Sequence, residues 1–194
     1  VSTSPIWESL ITRPMKYLKY ILGILALLVI GFFLLGVIKS EVSYECEIMV
    51  DKPLAESWAV SQDEEKMSDW LEGFQRMEHV SGSPYTVGAV SDVYFITDGQ
   101  EMTIRETITG IGPGESVAMT FTSDFMDMDY ILKMESVDGK TKVSSSTTTV
   151  GNGMVSKSIM ALMGSSIKAQ EDTNLANLKK TIEKNSKNYS SAEN

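Results

Sequence analysis

Residues 41–58 read EVSYECEIMVDKPLAESW, an alternating segment followed by a proline-led one. Apolar or aromatic side chains occupy every second position from Val42 to Val50, and mostly polar side chains lie between them. A period of two residues is typical of a β-strand with one buried face. Pro53 interrupts the strand and suits the first turn of a helix. The stretch therefore predicts a strand at 41–50 followed by a helix to about Val60.

The chain from Phe74 to Val150 has the pattern of an antiparallel meander. Its runs of β-branched and aromatic residues are separated by turn sequences, and Asp98-Gly99 and Asp138-Gly139 favour the tight turns that join antiparallel strands. Six strands are predicted here, at about 74–80, 87–97, 101–111, 115–123, 126–137 and 141–150. Together with residues 41–50 they make a sheet of seven strands.

Helical patterns lie on both sides of the meander. Ser61 followed by Glu64 resembles a capping box and predicts a second short helix through Leu71. After Gly153, apolar residues recur at steps of three and four, which is typical of a long amphipathic helix; this one extends to about Asn185. A polar tail follows at 186–194. The order predicts an α+β fold in which the long helix covers one face of an antiparallel sheet.

Residues 20–38 read YILGILALLVIGFFLLGVI and contain no charge and no proline. A helix of this length spans about 28 Å, which is close to the hydrocarbon thickness of a bilayer. A buried core helix would need more apolar neighbours than the rest of the chain supplies. A cleaved signal peptide usually has a shorter apolar run and a small-residue cleavage site. We therefore predict an uncleaved transmembrane helix, with the lipid bilayer as its partner.

Basic residues beside this helix predict its orientation. Arg13, Lys16 and Lys19 precede the apolar run, and Lys39 alone follows it before acidic residues begin. Because lysine and arginine concentrate on the cytoplasmic side, residues 1–19 are predicted to be cytoplasmic and the C-terminal domain periplasmic or extracellular. Met15 has the context of a natural start, so residues 1–14 are expected to be an upstream extension or an incorrectly assigned start.

The composition argues against several classes of function. The 194 residues include 17 basic and 26 acidic side chains, a net charge of −9, so a nucleic-acid partner is not expected. Residues 40–194 alone carry a net charge of −12, so an anionic lipid surface is expected to repel this part of the chain. One cysteine, Cys46, and one histidine, His79, are too few for a cysteine or histidine metal site. No metal and no cofactor is predicted.

The sequence resembles the SRPBCC or START-like (helix-grip) superfamily, especially its polyketide cyclase/dehydrase-like branch. The matching features are IMVDKPLAESW at 48–58, MSDWLEGF at 67–74, Val87-Gly88 at the start of a strand, Glu106-Thr-Ile108 in the next strand, and the closing helix. The resemblance covers about residues 41–185. It implies a curved sheet that grips the C-terminal helix around an apolar cavity. Members of the superfamily hold lipids, sterols, polyketides or other hydrophobic molecules there, and some use the cavity for catalysis.

Strand parity assigns one set of side chains to the sheet face beneath the closing helix. The candidate ligand-binding residues on that face and on the helix are Ile104, Glu106, Met119, Phe121, Met128, Tyr130, Leu132, Ile159, Leu162 and Met163. Eleven of the twelve methionines lie within residues 49–163, and flexible thioethers suit a surface that adapts to variable ligands. The same set also describes an ordinary packed core, and this alternative stays open.

Glu106 is the one carboxylate on an otherwise apolar face of its predicted strand. In an apolar cavity its pKa would rise, and the acid could orient a ligand or donate a proton. The alternative is an ion pair with a neighbouring lysine or arginine. Tyr130 would place a hydroxyl in the same space, although a buried tyrosine more often serves packing.

These features predict a membrane-anchored START-like domain that binds a hydrophobic small molecule or lipid close to the bilayer. One alternative is a cyclase/dehydrase-like enzyme, which would need a second polar group near Glu106. The other is a non-catalytic envelope interaction module with a filled core.

Overall fold

The domain contains one antiparallel sheet and helices on one side of it. In chain order the elements are α1 Pro14–Ile38, β1 Glu41–Val50, α2 Leu54–Ser61, α3 Glu64–Trp70, β2 Phe74–Ser81, β3 Val90–Thr97, β4 Gln100–Gly112, β5 Ser116–Thr122, β6 Met126–Val137, β7 Lys140–Gly151 and α4 Met154–Glu183. The strand order is β1-β7-β6-β5-β4-β3-β2. The predicted α+β fold with seven strands and a long closing helix is confirmed.

The computed structural model describes residues 14–97 and 99–189. The predicted cytoplasmic segment before residue 14, Asp98 of one predicted turn and the tail from residue 190 lie outside the described residues.

The registers of the central strands keep one set of side chains on a single face. Glu106 lies opposite Phe121, and Phe121 lies opposite Met128. The register between β4 and β5 shifts between Ile108 and Gly110. A bulge of this kind bends a strand and increases its twist, which helps to curve the sheet around the side that carries α4.

The short helices α2 and α3 begin differently from the sequence prediction. Pro53 is the N-cap residue of α2 instead of part of its first turn, and α2 extends through Ser61, whose hydroxyl donates to the Trp58 carbonyl at 2.8 Å. Asp63 caps α3 instead, because its carboxylate accepts a hydrogen bond from the backbone N–H of Glu65 at 3.1 Å. The predicted capping box at Ser61 is therefore wrong.

The closed hydrophobic core lies between α4 and one end of the sheet. α4 packs closely on β1 and β7, and it also contacts α2 and α3. The core side chains in this region are Cys46, Val50, Val60, Trp70, Val117, Leu132, Met134, Val143, Leu175, Leu178 and Ile182. Within residues 14–97 and 99–189, α4 makes no comparable approach to β3, β4 or β5, so it covers one side of the curved sheet more tightly than the other.

Helix α1 is long and apolar enough to cross a bilayer over its 22 residues Tyr17–Ile38. Most of it is exposed, and it contacts the rest of the chain near its C-terminal end, where it packs against α4. Gly36 is buried at this contact, and a Cβ atom added to it would lie 2.8 Å from the Ser158 backbone nitrogen. The absence of a side chain at Gly36 therefore allows the two helices to meet.

Candidate ligand-binding recess

The inner face of the sheet, the face that carries α4, contains an apolar region that no helix backbone covers closely. We call this region the inner recess; its residues are Glu106 and Ile108 of β4, Met119 and Phe121 of β5, and Met128 and Tyr130 of β6. Each of these side chains is half-buried. The phenyl ring of Phe121 meets the Tyr130 ring edge-to-face, with centroids 6.3 Å apart.

Two other predicted site residues of the sheet lie beside the inner recess in closed packing. Leu132 belongs to the core beneath α4 and is 2% exposed. Ile104 is buried opposite Val93 of β3. The structure therefore separates the predicted inner-face set into a packed part and the more open inner recess.

The three predicted residues of α4 do not share one environment. Ile159 is half-buried, but Leu162 is 58% exposed and Met163 is 48% exposed. Leu162 follows the buried Met160 by two residues, which is about 200° around a helix, so it lies on the side away from the sheet. The structure does not bring Leu162 to the inner face, and it leaves about half of the Met163 side chain exposed on α4.

Glu106 lies in the inner recess with no hydrogen bond or ion pair to any other residue in the described part of the chain. Its neighbour Arg105 projects to the other face and binds the Asp92 carboxylate at 2.8 and 3.0 Å. The ion pair considered for Glu106 from the sequence is therefore not formed by this arginine. Burial among apolar side chains raises the pKa of Glu106 to about 7, so a large fraction of the acid is protonated at neutral pH.

A second acidic group lies at the helix side of the inner recess. The Tyr130 hydroxyl donates a hydrogen bond to Glu171 Oε1 of α4 at 2.9 Å. Glu171 is only 9% exposed. Burial and the adjacent Glu171 raise the pKa of Tyr130 well above its usual value, so the phenol remains the donor. This hydrogen bond ties β6 to α4 across the interior.

Sequence reasoning missed Glu171, although a signal for it exists. The residue belongs to the series Ile167, Glu171, Leu175, Leu178 and Ile182, which advances by three or four residues along one helix face. Glu171 stands within the polar stretch AQEDTN, and these polar neighbours make it hard to recognise as part of the buried helix face. A carboxylate at a regular core position of an amphipathic helix indicates a buried polar contact.

Several hydroxyl groups surround the Tyr130–Glu171 pair. Ser145, Thr147 and Thr149 lie on the inner face of β7, and their buried oxygen atoms have no partner within hydrogen-bond geometry among the described residues. Tyr44 of β1 lies opposite Thr147, and burial raises the pKa of Tyr44 to about 12. The interior next to the inner recess is therefore polar at one end and apolar at the other.

Removing the Tyr130 hydroxyl should destabilise the protein. In Tyr130→Phe, Glu171 loses its donor while remaining buried, which should lower the free energy of unfolding by about 1–3 kcal/mol. Urea unfolding of the full chain in detergent measures this change. Tyr94→Phe is the matched control, because Tyr94 donates to Glu78 at 3.2 Å on the exposed surface and should change stability little. Equal effects of the two variants would contradict the buried role of the Tyr130–Glu171 hydrogen bond.

A separate groove of about 460 Å³ lies mainly on the opposite, outer face of the sheet. Charged side chains such as Lys133, Lys142 and Glu47 line it, and Lys142 binds Glu47 at 2.7 Å. Its cations are already paired, and its wall is open to solvent. We therefore favour the inner recess as the candidate site.

The fold of the domain is shared with solved structures. Ara h 8.0201 is similar with a TM-score of 0.59 at 18% identity, over 75% of this chain and 99% of that one. Protein CV1439 from Chromobacterium violaceum gives 0.60 at 14% identity, over 74% and 98% of the two chains. The Zhui aromatase/cyclase from Streptomyces sp. R1128 gives 0.59 at 14% identity, over 74% and 94%. At these identities the likeness concerns the fold alone.

Comparison with families identifies the domain more directly. No functionally curated protein matches the chain. The family described as "Polyketide cyclase / dehydrase and lipid transport" matches residues 41–183, from the first residue of β1 to the last residue of α4. This match covers every strand and the closing helix, and it agrees with the helix-grip architecture. The chain therefore belongs to the polyketide cyclase/dehydrase and lipid transport family.

Proposed function

We propose that this protein binds a hydrophobic small molecule or lipid in the inner recess, while α1 anchors it in a membrane. The observation that carries the proposal is the row Glu106, Phe121 and Met128, which is half-buried although α4 does not pack closely over β4 and β5. Partly covered apolar side chains beside a few polar groups are typical of small-molecule sites.

The polar groups suggest how such a ligand would be oriented. Glu106 and Tyr130 lie two strands apart and are offset by two residues along the strand direction, so their Cα atoms are separated by roughly 12 Å. An elongated apolar molecule would lie between them against Phe121 and Met128. A hydroxyl or carbonyl group at one end would meet the neutral Glu106 acid, which can both donate and accept a hydrogen bond.

The membrane anchor gives this binding a location. Tethering keeps the domain near ligands dissolved in the bilayer and so raises their effective concentration at the site. The basic residues before α1 favour a cytoplasmic N-terminus, with the domain on the other side of the membrane. A reporter fused after residue 194 should therefore be active only if it functions outside the cytoplasm.

A lysine in the inner recess should abolish ligand binding. We expect Met128→Lys to reduce labelling by a photoactivatable fatty acid at least about tenfold, because an unpaired ammonium group is costly among apolar side chains. The full chain in phosphatidylcholine nanodiscs is irradiated with the probe, and the modified peptides are mapped by mass spectrometry. In the wild type the labels should lie on Phe121 and Met128.

Ile131→Lys is the matched control, because Ile131 lies on the same strand but is 47% exposed on the outer face. This variant should be labelled like the wild type. Labels confined to α1, or equal labelling of both lysine variants, would contradict ligand binding in the inner recess. Circular dichroism of each variant shows that the sheet is retained.

A second candidate function is catalysis of the cyclase or dehydrase kind. It is favoured by the convergence of two polar sites on one face, Glu106 and the Tyr130–Glu171 pair. With a pKa of about 7, Glu106 could give and take a proton near neutral pH. A molecule recovered from the protein that changes mass when incubated with the wild type, but not with Glu106→Gln, would support catalysis.

A further inference from the structure

The first half of α4 carries an exposed apolar surface beside α1. The exposed apolar side chains in this half are Met154, Val155, Leu162 and Met163. The second half of the helix, from Lys168 onward, exposes mainly charged and amide side chains. The change along one helix indicates that its two halves contact different surroundings.

Contact between the two helices places this surface next to the apolar span. Ser158 is fully buried against Gly36 of α1. Val155 and Leu162 lie about one turn before and after Ser158 on the same side of α4, since residues three and four apart are neighbours on a helix. Both side chains therefore flank the line of contact with α1.

The same contact sets the depth of this surface in a membrane. Gly36 precedes Ile38, the last residue of the apolar span, by only two residues, or about 3 Å along the helix. If α1 crosses the bilayer, Ser158 lies at the level of its last apolar turn. Val155 and Leu162 are then at the boundary between acyl chains and headgroups.

The charge of this segment also fits a lipid surface. The domain as a whole is acidic and is expected to stand off anionic lipid, but residues 154–167 contain no acidic residue and one basic residue, Lys157. The hydroxyls of Ser156 and Ser158 donate to the backbone carbonyls four residues earlier, those of Asn152 and Met154. These two hydroxyl groups therefore do not require water as a partner.

We propose that residues 154–163 of α4 lie in the lipid interface alongside the end of α1, so that the inner recess opens toward the bilayer. The ligand would then be an acyl-chain lipid that enters laterally between the first half of α4 and the sheet. This inference rests on the proposed membrane anchor and narrows the ligand class of the proposed function.

Depth-dependent quenching tests this arrangement. Single cysteines at Val155 and Leu162, at Leu27 in the middle of α1, and at Thr173 on the polar half of α4 are labelled with a fluorophore in the full chain. Native Cys46 is buried, and its pKa is raised to about 11 by burial, so it should react slowly; unmodified protein measures its background. The samples are reconstituted in phosphatidylcholine vesicles that contain a nitroxide-labelled lipid.

We expect labels at Val155 and Leu162 to be quenched by the lipid nitroxide roughly threefold more than the label at Thr173, because an interfacial helix face lies about 5–10 Å into the headgroup and acyl boundary. Aqueous iodide should give the reverse order. Strong lipid quenching at Leu27 together with water-like behaviour at Val155 and Leu162 would overturn the inference and leave the anchor intact. Water-like behaviour at Leu27 as well would overturn both. Since no ligand is added, failure of ligand binding is detected separately by photolabelling.

Discussion

Replacing Glu106 with glutamine is expected to raise the free energy of unfolding at pH 8 by up to about 3 kcal/mol. Burial raises the pKa of Glu106 from 4.5 to about 7. At pH 8 the folded wild type therefore holds a carboxylate without a described partner among apolar side chains. Glutamine has nearly the same shape and no charge, so the variant avoids the cost of burying that charge.

The sign of the pH dependence follows from proton binding. Between pH 4.5 and about pH 7, the folded state keeps a proton on Glu106 that the unfolded state has released. The contribution of Glu106 to stability is therefore fully present below pH 4.5 and is lost as the pH rises through about 7. The Glu106→Gln variant has no titrating group at this position and lacks this pH-dependent loss, so its stability should match the wild type in acid and exceed it in mild base.

Urea unfolding of the delipidated full chain in detergent, followed by tryptophan fluorescence across this pH range, measures the difference. Glu115→Gln is the control, because Glu115 is an exposed carboxylate in the turn before β5. It should leave the pH profile almost unchanged. A constant difference between Glu106→Gln and the wild type at every pH would show that Glu106 is not in a desolvated environment.

Leu178→Ala should be strongly destabilising, with a loss of about 2–5 kcal/mol in the free energy of unfolding. Leu178 is fully buried in the core that joins α4 to β1 and β7. Removing its isopropyl group leaves a cavity that the adjacent sheet cannot fill without moving. The same urea experiment at neutral pH measures the loss.

Leu162→Ala provides a matched control on the same helix. Leu162 lies on the face away from the sheet, so its truncation in detergent should change the free energy of unfolding by about 0.5 kcal/mol or less. A loss as large as that of Leu178→Ala would contradict the orientation of α4. A small effect of Leu178→Ala would contradict the closed core.

The strands were predictable because local chemistry and tertiary structure agree in them. The alternation from Val42 to Val50 gave β1 with its observed bounds, and the turn at Asp138-Gly139 lies between β6 and β7 as expected. Strand β3 begins at Val90 instead of Val87, because Tyr85 and Gly88 both adopt positive φ, at 59° and 89°, and extend the preceding turn. Parity also predicted which side chains of β4 to β6 share a face, because it depends only on strand geometry.

The site was less predictable because it depends on how the helix lies across the sheet. Periodicity marks Leu162 as apolar, but it does not reveal that this side chain faces away from the sheet. The polar neighbours of Glu171 in the sequence are typical of a surface residue. Only the packing of α4 over Tyr130 shows that Glu171 is buried. Phe121 and Met128 are only partly covered because α4 packs on β1 and β7. No local sequence pattern specifies this position of the helix on the sheet.

Extraction of the full chain tests the central claim, ligand binding in the inner recess, most directly. The protein is purified from membranes in a mild detergent, extracted with organic solvent and analysed by mass spectrometry beside Met128→Lys and Ile131→Lys. We predict that a defined apolar molecule accompanies the wild type and Ile131→Lys in near-equal amount to protein and is lost from Met128→Lys. Recovery of no such molecule from the wild type, or of the same bulk lipids from all three proteins, would contradict the account.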